Sequence, residues 1–321
     1  MSAASAPTGA PWRPGLSLPL VNFAAEDPGS WEPMFDRARA ADASGVDRVV
    51  VSDHVVLGEN LEAYGRSELG GVEGGRQPTG PDGLWLEPMT VLSMVAALTN
   101  RVRLGTGVLQ AALRRPVVLA KAAATLDVLS GGRLELGVGV GWQREEYEAA
   151  GLEFAGRGRT LDHTLEVCQA LWQDGGADFD SAALRFSAIH CSPKPRQAGG
   201  VPIWVSGTAN RRVLDRLARF GSGWIPWGPD RVDPGPGVAA ARQALADAGR
   251  EAGTLCVRGV LTVETAADGA VDLERTMAPV PGLIEAGVTD FSIQGPVPSE
   301  LAAATDYLSA LVGGFRTAAG Q

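Results

Sequence analysis

The chain is short of cysteine and histidine, has no long apolar run, and lacks an excess of positive charge. Cys168, Cys191 and Cys256 are the only cysteines in 321 residues. They are widely spaced and odd in number, so they form neither a disulfide framework nor a zinc spacing, and a reducing cytoplasm is expected. No apolar run approaches the ~20 residues of a membrane span. A net charge of −9 argues against a nucleic-acid or anionic-membrane footprint. The expected partner is a small-molecule substrate. No P-loop, nucleophile elbow or metal-ligand spacing occurs. Glycine and proline, 42 and 21 residues, make just under a fifth of the chain, below the ~25–30% of low-complexity sequences. With 45% apolar residues a sizeable core can form.

Strand-like and helix-like patterns alternate from Gly15 onward. Strands are expected at Gly15–Asn22, Val46–Ser52, Val102–Val108, Leu134–Val140, Val201–Val205, Gly223–Pro226, Cys256–Val263 and Thr289–Ile293. Helices are expected between and after them, one opened by Pro116 at its favoured first position and closed by Ser130-Gly131-Gly132. In another, Leu161, Leu165, Cys168 and Trp172 share one face. Eight such units argue for an α/β fold with a single closed (β/α)8 TIM barrel over 15–321; a doubly wound open sheet is the rival. Residues 1–14, rich in Ala, Ser and Pro, read as a disordered tail without the features of a signal peptide. Leu57–Gly83, with eight glycines, and Asp178–Gly200, a candidate hairpin, break the rhythm. Both are expected as insertions at the C-terminal face, where barrels carry their function.

At that face Asp53-His54 ends the second strand. The imidazole could donate a hydrogen bond or shuttle a proton; a loop histidine bonded to the backbone is the plain alternative. Gly105 and Gly107 in one strand, and Gly137, Gly139 and Gly141 in the next, form glycine rows. Glycine in a strand marks close approach of a ligand or of another backbone. The paired rows favour a flat wall for a planar ring over tight barrel packing. Gly137 to Trp142 lacks the G-x-G-x-x-G spacing of a dinucleotide site. Ser206-Gly207-Thr208-Ala209-Asn210 leads from a strand into a helix, where it serves either as a phosphate cradle or as ordinary Ser/Thr capping. The acidic pair Glu145-Glu146 reads as a solvated helix face.

Three segments carry a family resemblance: Arg101–Val108 (RVRLGTGV), Pro116–Gly141 with its ATLDVLSGGR core, and Pro202–Gly207 (PIWVSG). From Leu16 to Phe291 the chain resembles the bacterial luciferase-like superfamily, in particular its deazaflavin-dependent branch. The resemblance implies a (β/α)8 barrel with coenzyme F420 in its mouth, or FMN as the alternative. It implies an F420-dependent oxidoreductase that moves a hydride between deazaflavin C5 and a small organic substrate. An FMN-dependent monooxygenase and a non-catalytic cofactor-binding barrel are the other readings. His54 would be the catalytic residue, with Asp53 beside it. Gly107-Val108 matches a bond that is often a non-prolyl cis peptide behind the ring, and Thr106 and Gln110 are counted with it as cofactor-binding. Trp142 and Glu145 match contacting positions after the fourth strand, and Ser206, Gly207 and Thr208 match the phosphate turn. The sugar-phosphate dehydrogenase branch carries an acidic glutamate where this chain has Trp142, which argues against that subtype. A homodimer is implied.

Overall fold

β-Branched and leucine-rich runs bounded by glycine favour buried parallel strands, and eight of them close into one ring. In the computed structural model, which describes residues 13–69, 71 and 74–321, these are β1 (Gly15–Pro19), β2 (Arg48–Val51), β3 (Arg103–Thr106), β4 (Leu134–Val138), β5 (Ile203–Gly207), β6 (Gly221–Pro226), β7 (Cys256–Thr262) and β8 (Asp290–Gln294). Every neighbouring pair is parallel, in sequence order, and β8 returns to β1. The open-sheet alternative is thereby excluded, because a doubly wound sheet leaves two edges unpaired.

The outer layer contains α1 (Glu32–Ser44), α2 (Pro88–Leu98), α3 (Pro116–Leu129), α4 (Arg144–Ala149), α5 (Arg157–Trp172), α6 (Arg211–Phe220), α7 (Gly235–Asp247), α8 (Leu273–Met277), α9 (Val280–Glu285) and α10 (Leu301–Ala318). Local chemistry sets their ends. Pro88 and Pro116 open α2 and α3, where a missing N–H costs nothing. Gly45 ends α1 at φ +91°, a left-handed conformation that favours glycine. The expected face of α5 is buried: Leu161, Leu165, Cys168 and Trp172 join the core. Among the described residues no helix is long and apolar enough to cross a membrane.

The bottom of the barrel is filled with charge rather than with aliphatic side chains. Arg48 pairs with Glu135 and Asp290, Arg103 with Glu135, and Arg258 Nε with Asp290 at 2.6 Å. Trp204 lies against the Arg48 and Arg258 guanidinium groups, 4.6 and 5.1 Å from its ring centre. Each of these charges stands on a separate strand, so nothing in the linear pattern paired them.

The tail assigned to 1–14 lies outside the described residues as far as residue 12. Pro14 is fastened: its carbonyl accepts bonds of 2.9 Å from Arg316 and Gln321. The insertion at 57–83 stands at the C-terminal face, as expected. The second does not. Its hairpin, Ala177–Asp180 with Arg185–Ile189, follows α5 and precedes β5. It therefore occupies the opposite, N-terminal end, where Gln197 donates to the carbonyl of Leu134 at the start of β4. A connection that runs from a helix into a strand falls at the N-terminal end of a parallel barrel, so the order of the elements corrects the expected placement.

Candidate active site

The four C-terminal ends of β2 to β5 form a continuous arc of the rim. Beyond β3 the chain turns through a cis Gly107-Val108 peptide, as the resemblance implied. Gly107 is exposed at this point, and a Cβ there would meet nothing nearer than 3.6 Å, the closest atoms being Arg258 Nη1 and Val50 Cβ. The other glycines are different, and the expected ligand wall is corrected accordingly. A Cβ on Gly137 would strike the Thr106 carbonyl oxygen at 2.0 Å, and one on Gly139 the Val108 Cγ2 at 2.6 Å. One on Gly141 would meet Gln110 Oε1 at 1.9 Å, and one on Gly105 would meet Val50 Cγ1 at 2.8 Å. These glycines make room for the protein's own neighbouring strands. Of these five glycines, only Gly107 offers open backbone to a ligand.

His54 extends from the end of β2 into an aromatic cluster and retains 9% of its side-chain surface. Its ring meets Trp85 edge-on at 4.6 Å and Trp142 at 5.7 Å. Trp85 stacks on Phe23 at 4.4 Å and donates from Nε1 to Thr79 Oγ1 at 2.9 Å. The short ribbon Phe23–Ala24 with Leu84–Trp85 therefore joins the exit of β1 to the end of the 57–83 insertion and holds one wall of the imidazole. On the other side Nδ1 lies 3.2 Å from Glu146 Oε2, off the angle of a hydrogen bond. No backbone bond claims the imidazole among the described contacts, so the plain loop-histidine alternative is not what the geometry shows.

Glu146 corrects the reading of Glu145-Glu146 as a solvated face. It is fully buried, accepting from the Val55 amide at 2.9 Å and from Gln110 Nε2 at 2.8 Å. Its neighbour Glu145 packs under Gly58, where a Cβ would come within 2.5 Å of it, and its Oε2 is buried without a hydrogen bond. A six-residue helix carries both, and only its contact with the rim turns Glu146 inward.

Three residues expected to bind cofactor are instead spent inside the wall. Asp53 is sealed from solvent; it accepts from Arg114 Nη1 at 2.6 Å, from Arg114 Nη2 at 3.0 Å and from the Gln110 amide at 2.8 Å. Such a two-pronged Arg–carboxylate pair is among the stronger, more directional ones. The Gln110 side chain bridges the Asp53 carbonyl and Glu146. Thr106 is buried and donates to the Gly137 carbonyl at 2.7 Å. All three brace His54 and the 107–108 peptide from behind. Val108 is half-buried, its side chain against Gly139.

At the end of β5, Ser206 and Gly207 are half-buried and Thr208 is exposed. Gly207 has φ +142°, and a Cβ there would press on Val213 Cγ2 at 2.7 Å, so glycine is required. The cap of α6 is Asn210, whose side chain accepts from the amides of Arg212 and Val213. The capping alternative for Ser206 and Thr208 is thus discarded. The turn already holds an anion: Asp230 Oδ2 accepts from the Ala209 amide at 2.6 Å. Asp230 belongs to the 3-10 turn Gly228–Arg231, which follows Trp227. Trp227 Nε1 donates to the Gly71 carbonyl of the insertion at 2.7 Å. Gln143 secures the front of the insertion, exchanging two bonds with the Gly58 backbone at 2.9 and 3.1 Å. The insertion therefore lies across the mouth, fixed from two sides. Trp85, Arg114, Trp227 and Asp230 carried no local signal in the sequence, and Glu146 only that of a solvated acidic pair; each becomes visible through a partner 21 or more residues away.

The luciferase-like monooxygenase profile matches residues 13–281. A phthiodiolone/phenolphthiodiolone dimycocerosates ketoreductase of Mycobacterium tuberculosis is 36% identical over 210 residues, 61% of this chain and 54% of that one. The chain spans little more than half the length of the curated relatives it matches. An F420-dependent secondary alcohol dehydrogenase has the same fold at TM-score 0.72 and 15% identity, over 95% of this chain and 99% of that one. Monooxygenase RslO1 from Streptomyces bottropensis superposes at TM-score 0.66 and 21% identity, over 91% and 96%. With the closed barrel and its rim already described, the profile match over most of the chain establishes that this protein belongs to the luciferase-like monooxygenase family.

Proposed function

We propose that the protein is an oxidoreductase that binds coenzyme F420 in its barrel mouth and exchanges a hydride with a small organic substrate. The observation that supports this most is the rim arc itself. It presents one exposed backbone step, Gly107-Val108, flanked by His54 and by a turn whose Ala209 amide already holds an acidic oxygen. A flat ring with a phosphorylated tail fits those two features, with Asp230 standing in for the phosphate. Similarity to a ketoreductase and likeness in fold to an F420-dependent dehydrogenase agree with it.

When bound, F420 supplies the hydride-carrying carbon, as cofactors generally supply the difficult chemistry. The chain supplies the rest. Trp85 and Trp142 fix the edge of the His54 imidazole, and Glu146 backs it, so that His54 orients or protonates the reacting oxygen of the substrate. Gly107 and Val108 support the ring, while Ser206, Gly207 and Thr208 receive the phosphate. The 57–83 insertion excludes water, held by Gln143 and Trp227.

Titration of the purified protein with F420 and with FMN tests the assignment. Micromolar or tighter binding of F420 with no comparable affinity for FMN is the expected result. The second reading is an FMN-dependent monooxygenase, which the likeness to RslO1 keeps in view. Tight binding of FMN alone, with oxygen consumption on supplying FMNH2, would establish it instead. Since Asp230 occupies the turn, Asp230→Asn removes a competing negative charge. It should tighten cofactor binding several-fold, by roughly 1 kcal/mol, the scale of one charge-assisted contact near a surface. Weaker binding would show that Asp230 builds the turn rather than occupying it.

The implied homodimer has a candidate surface on α2 and α3, where Met94, Val117, Val118, Val128 and Leu129 are exposed. Val118→Glu with Leu129→Glu is expected to convert a dimer to a monomer in sedimentation velocity.

A further inference from the structure

Beside the rim, and separate from the 107–108 step, a cavity of about 270 Å³ opens between the insertion and Trp142. Its lining is two-sided. Leu69, Trp142 and Phe154 form apolar walls, while Arg66, Arg144 and Asn60 supply the polar ones. Arg66 and Arg144 are exposed and form no ion pair with any carboxylate among the described residues. Arg144 lies over the Phe154 ring at 4.9 Å, and Arg157 over the same ring at 3.9 Å. Arg157 is anchored by backbone oxygens alone, donating to Gly141 at 3.3 Å and to Leu69 at 2.9 Å. Burial, and then the nearby charge of Arg144, hold its guanidinium below the ordinary value. Two cations thus lie over one ring, with Arg66 a third on the cavity wall, in a protein of net charge −9. Arg48 and Arg114, buried at the barrel bottom and beside Asp53, are paired with acids, whereas Arg133 and Arg250 are held, like Arg157, without a carboxylate.

Guanidinium groups without a carboxylate partner among the described residues, at a partly apolar cavity, match an oxyanion, because the guanidinium fork presents paired donors to carboxylate or phosphate. Trp142 is shared: it lines this cavity, and its ring lies 5.7 Å from that of His54. We propose that the cavity is a recognition site for the acidic end of an organic ligand, a carboxylate or phosphate held by Arg66 and Arg144 with its apolar body against Leu69 and Trp142. Resting on the oxidoreductase reading only for its biological meaning, it selects acidic molecules for the reaction centre one indole ring away. The same chemistry could belong to an acidic substrate or to the anionic tail of the cofactor.

The test uses the full chain without cofactor. Benzoate and phenyl phosphate serve as probes and neutral benzamide as control, followed by tryptophan fluorescence and calorimetry. Saturable binding of the two anions is expected, at least tenfold weaker in Arg144→Gln and lost in the Arg66→Gln/Arg144→Gln double variant. Both side chains are exposed, and an unchanged melting curve confirms that the variants fold. Equal binding of benzamide, or equal anion affinity in the double variant, overturns the proposal, as does failure of both anions to bind. F420 and FMN are then titrated into the double variant. A tenfold loss for F420 assigns the site to the cofactor's tail; unchanged affinity assigns it to the substrate. Because the first arm needs no cofactor, it stands or falls apart from the F420 assignment.

Discussion

Asp290→Ala is expected to destabilise the protein by about 3–5 kcal/mol, the usual cost of removing one partner from a buried ion pair. Asp290 is completely buried and takes charge from Arg48 and Arg258, with Ser17 Oγ donating at 3.2 Å. Its loss leaves Arg258 without its carboxylate and Arg48 sharing Glu135 with Arg103, inside a low-dielectric barrel. Burial works against the charge of Glu135, yet Arg48 and Arg103 outweigh it and hold its pKa at about 2. The same network holds Arg48, against its own burial, well above its ordinary value. The sign for pH follows. Because the folded value of Glu135 lies below the unfolded one of about 4.5, its contribution is full above that pH. It is lost as pH falls from there toward 2. Urea unfolding of the wild type, Asp290→Ala and Glu135→Gln, at pH 7 and pH 3.5, measures both effects. Breaking the exposed Arg185–Asp180 pair gives the comparison and should cost under about 1 kcal/mol. If Asp290→Ala costs no more than that control, the barrel bottom is held by packing alone.

His54→Ala is expected to lower kcat by about 10²- to 10⁴-fold, the range for a positioned acid–base group, with the cofactor Kd changed only a few-fold. His54 makes no hydrogen bond through Nδ1 and contacts the insertion and α4 flank through Trp85 and Trp142, so it is braced without being consumed by the fold. Glu146→Gln keeps the size of the side chain and one acceptor oxygen for the Val55 amide, sets an NH2 against Gln110 Nε2, and removes the charge behind the imidazole. Its effect should appear in the pH profile of kcat more than in cofactor affinity. Full turnover by His54→Ala would end the assignment. A collapse of cofactor binding in the same variant would make His54 a wall of the binding site rather than a reacting group.

Much of the barrel was legible because strands buried on both faces write continuous runs. Arg48–Val51 and Leu134–Val138 lie inside the expected segments, shortened by two or three residues where the backbone leaves the ring. Loop placement was less legible: the 178–200 hairpin is at the end opposite the one expected. Of the site, His54, Gly107-Val108 and the Ser206–Thr208 turn stand on the rim as the motifs suggested. The glycine rows were the part most misread. A glycine in a strand signals close approach, and only coordinates say whether the visitor is a ligand or, as at Gly137 and Gly139, the next strand.

The amino-acid order by itself determined the alternation, the helix ends at Pro88, Pro116 and Gly45, and which residues reach the ends of the strands, because these depend on backbone preference and on periods of two and 3.6 residues. Tertiary structure alone decided which charges meet. Arg48 with Asp290, Arg114 with Asp53, Asp230 with the Ala209 amide and Trp227 with Gly71 are separated by 21 to 242 residues. Their pairing depends on closure of the ring, since burial raises the cost of an unmatched polar group and so selects partners that no local pattern names.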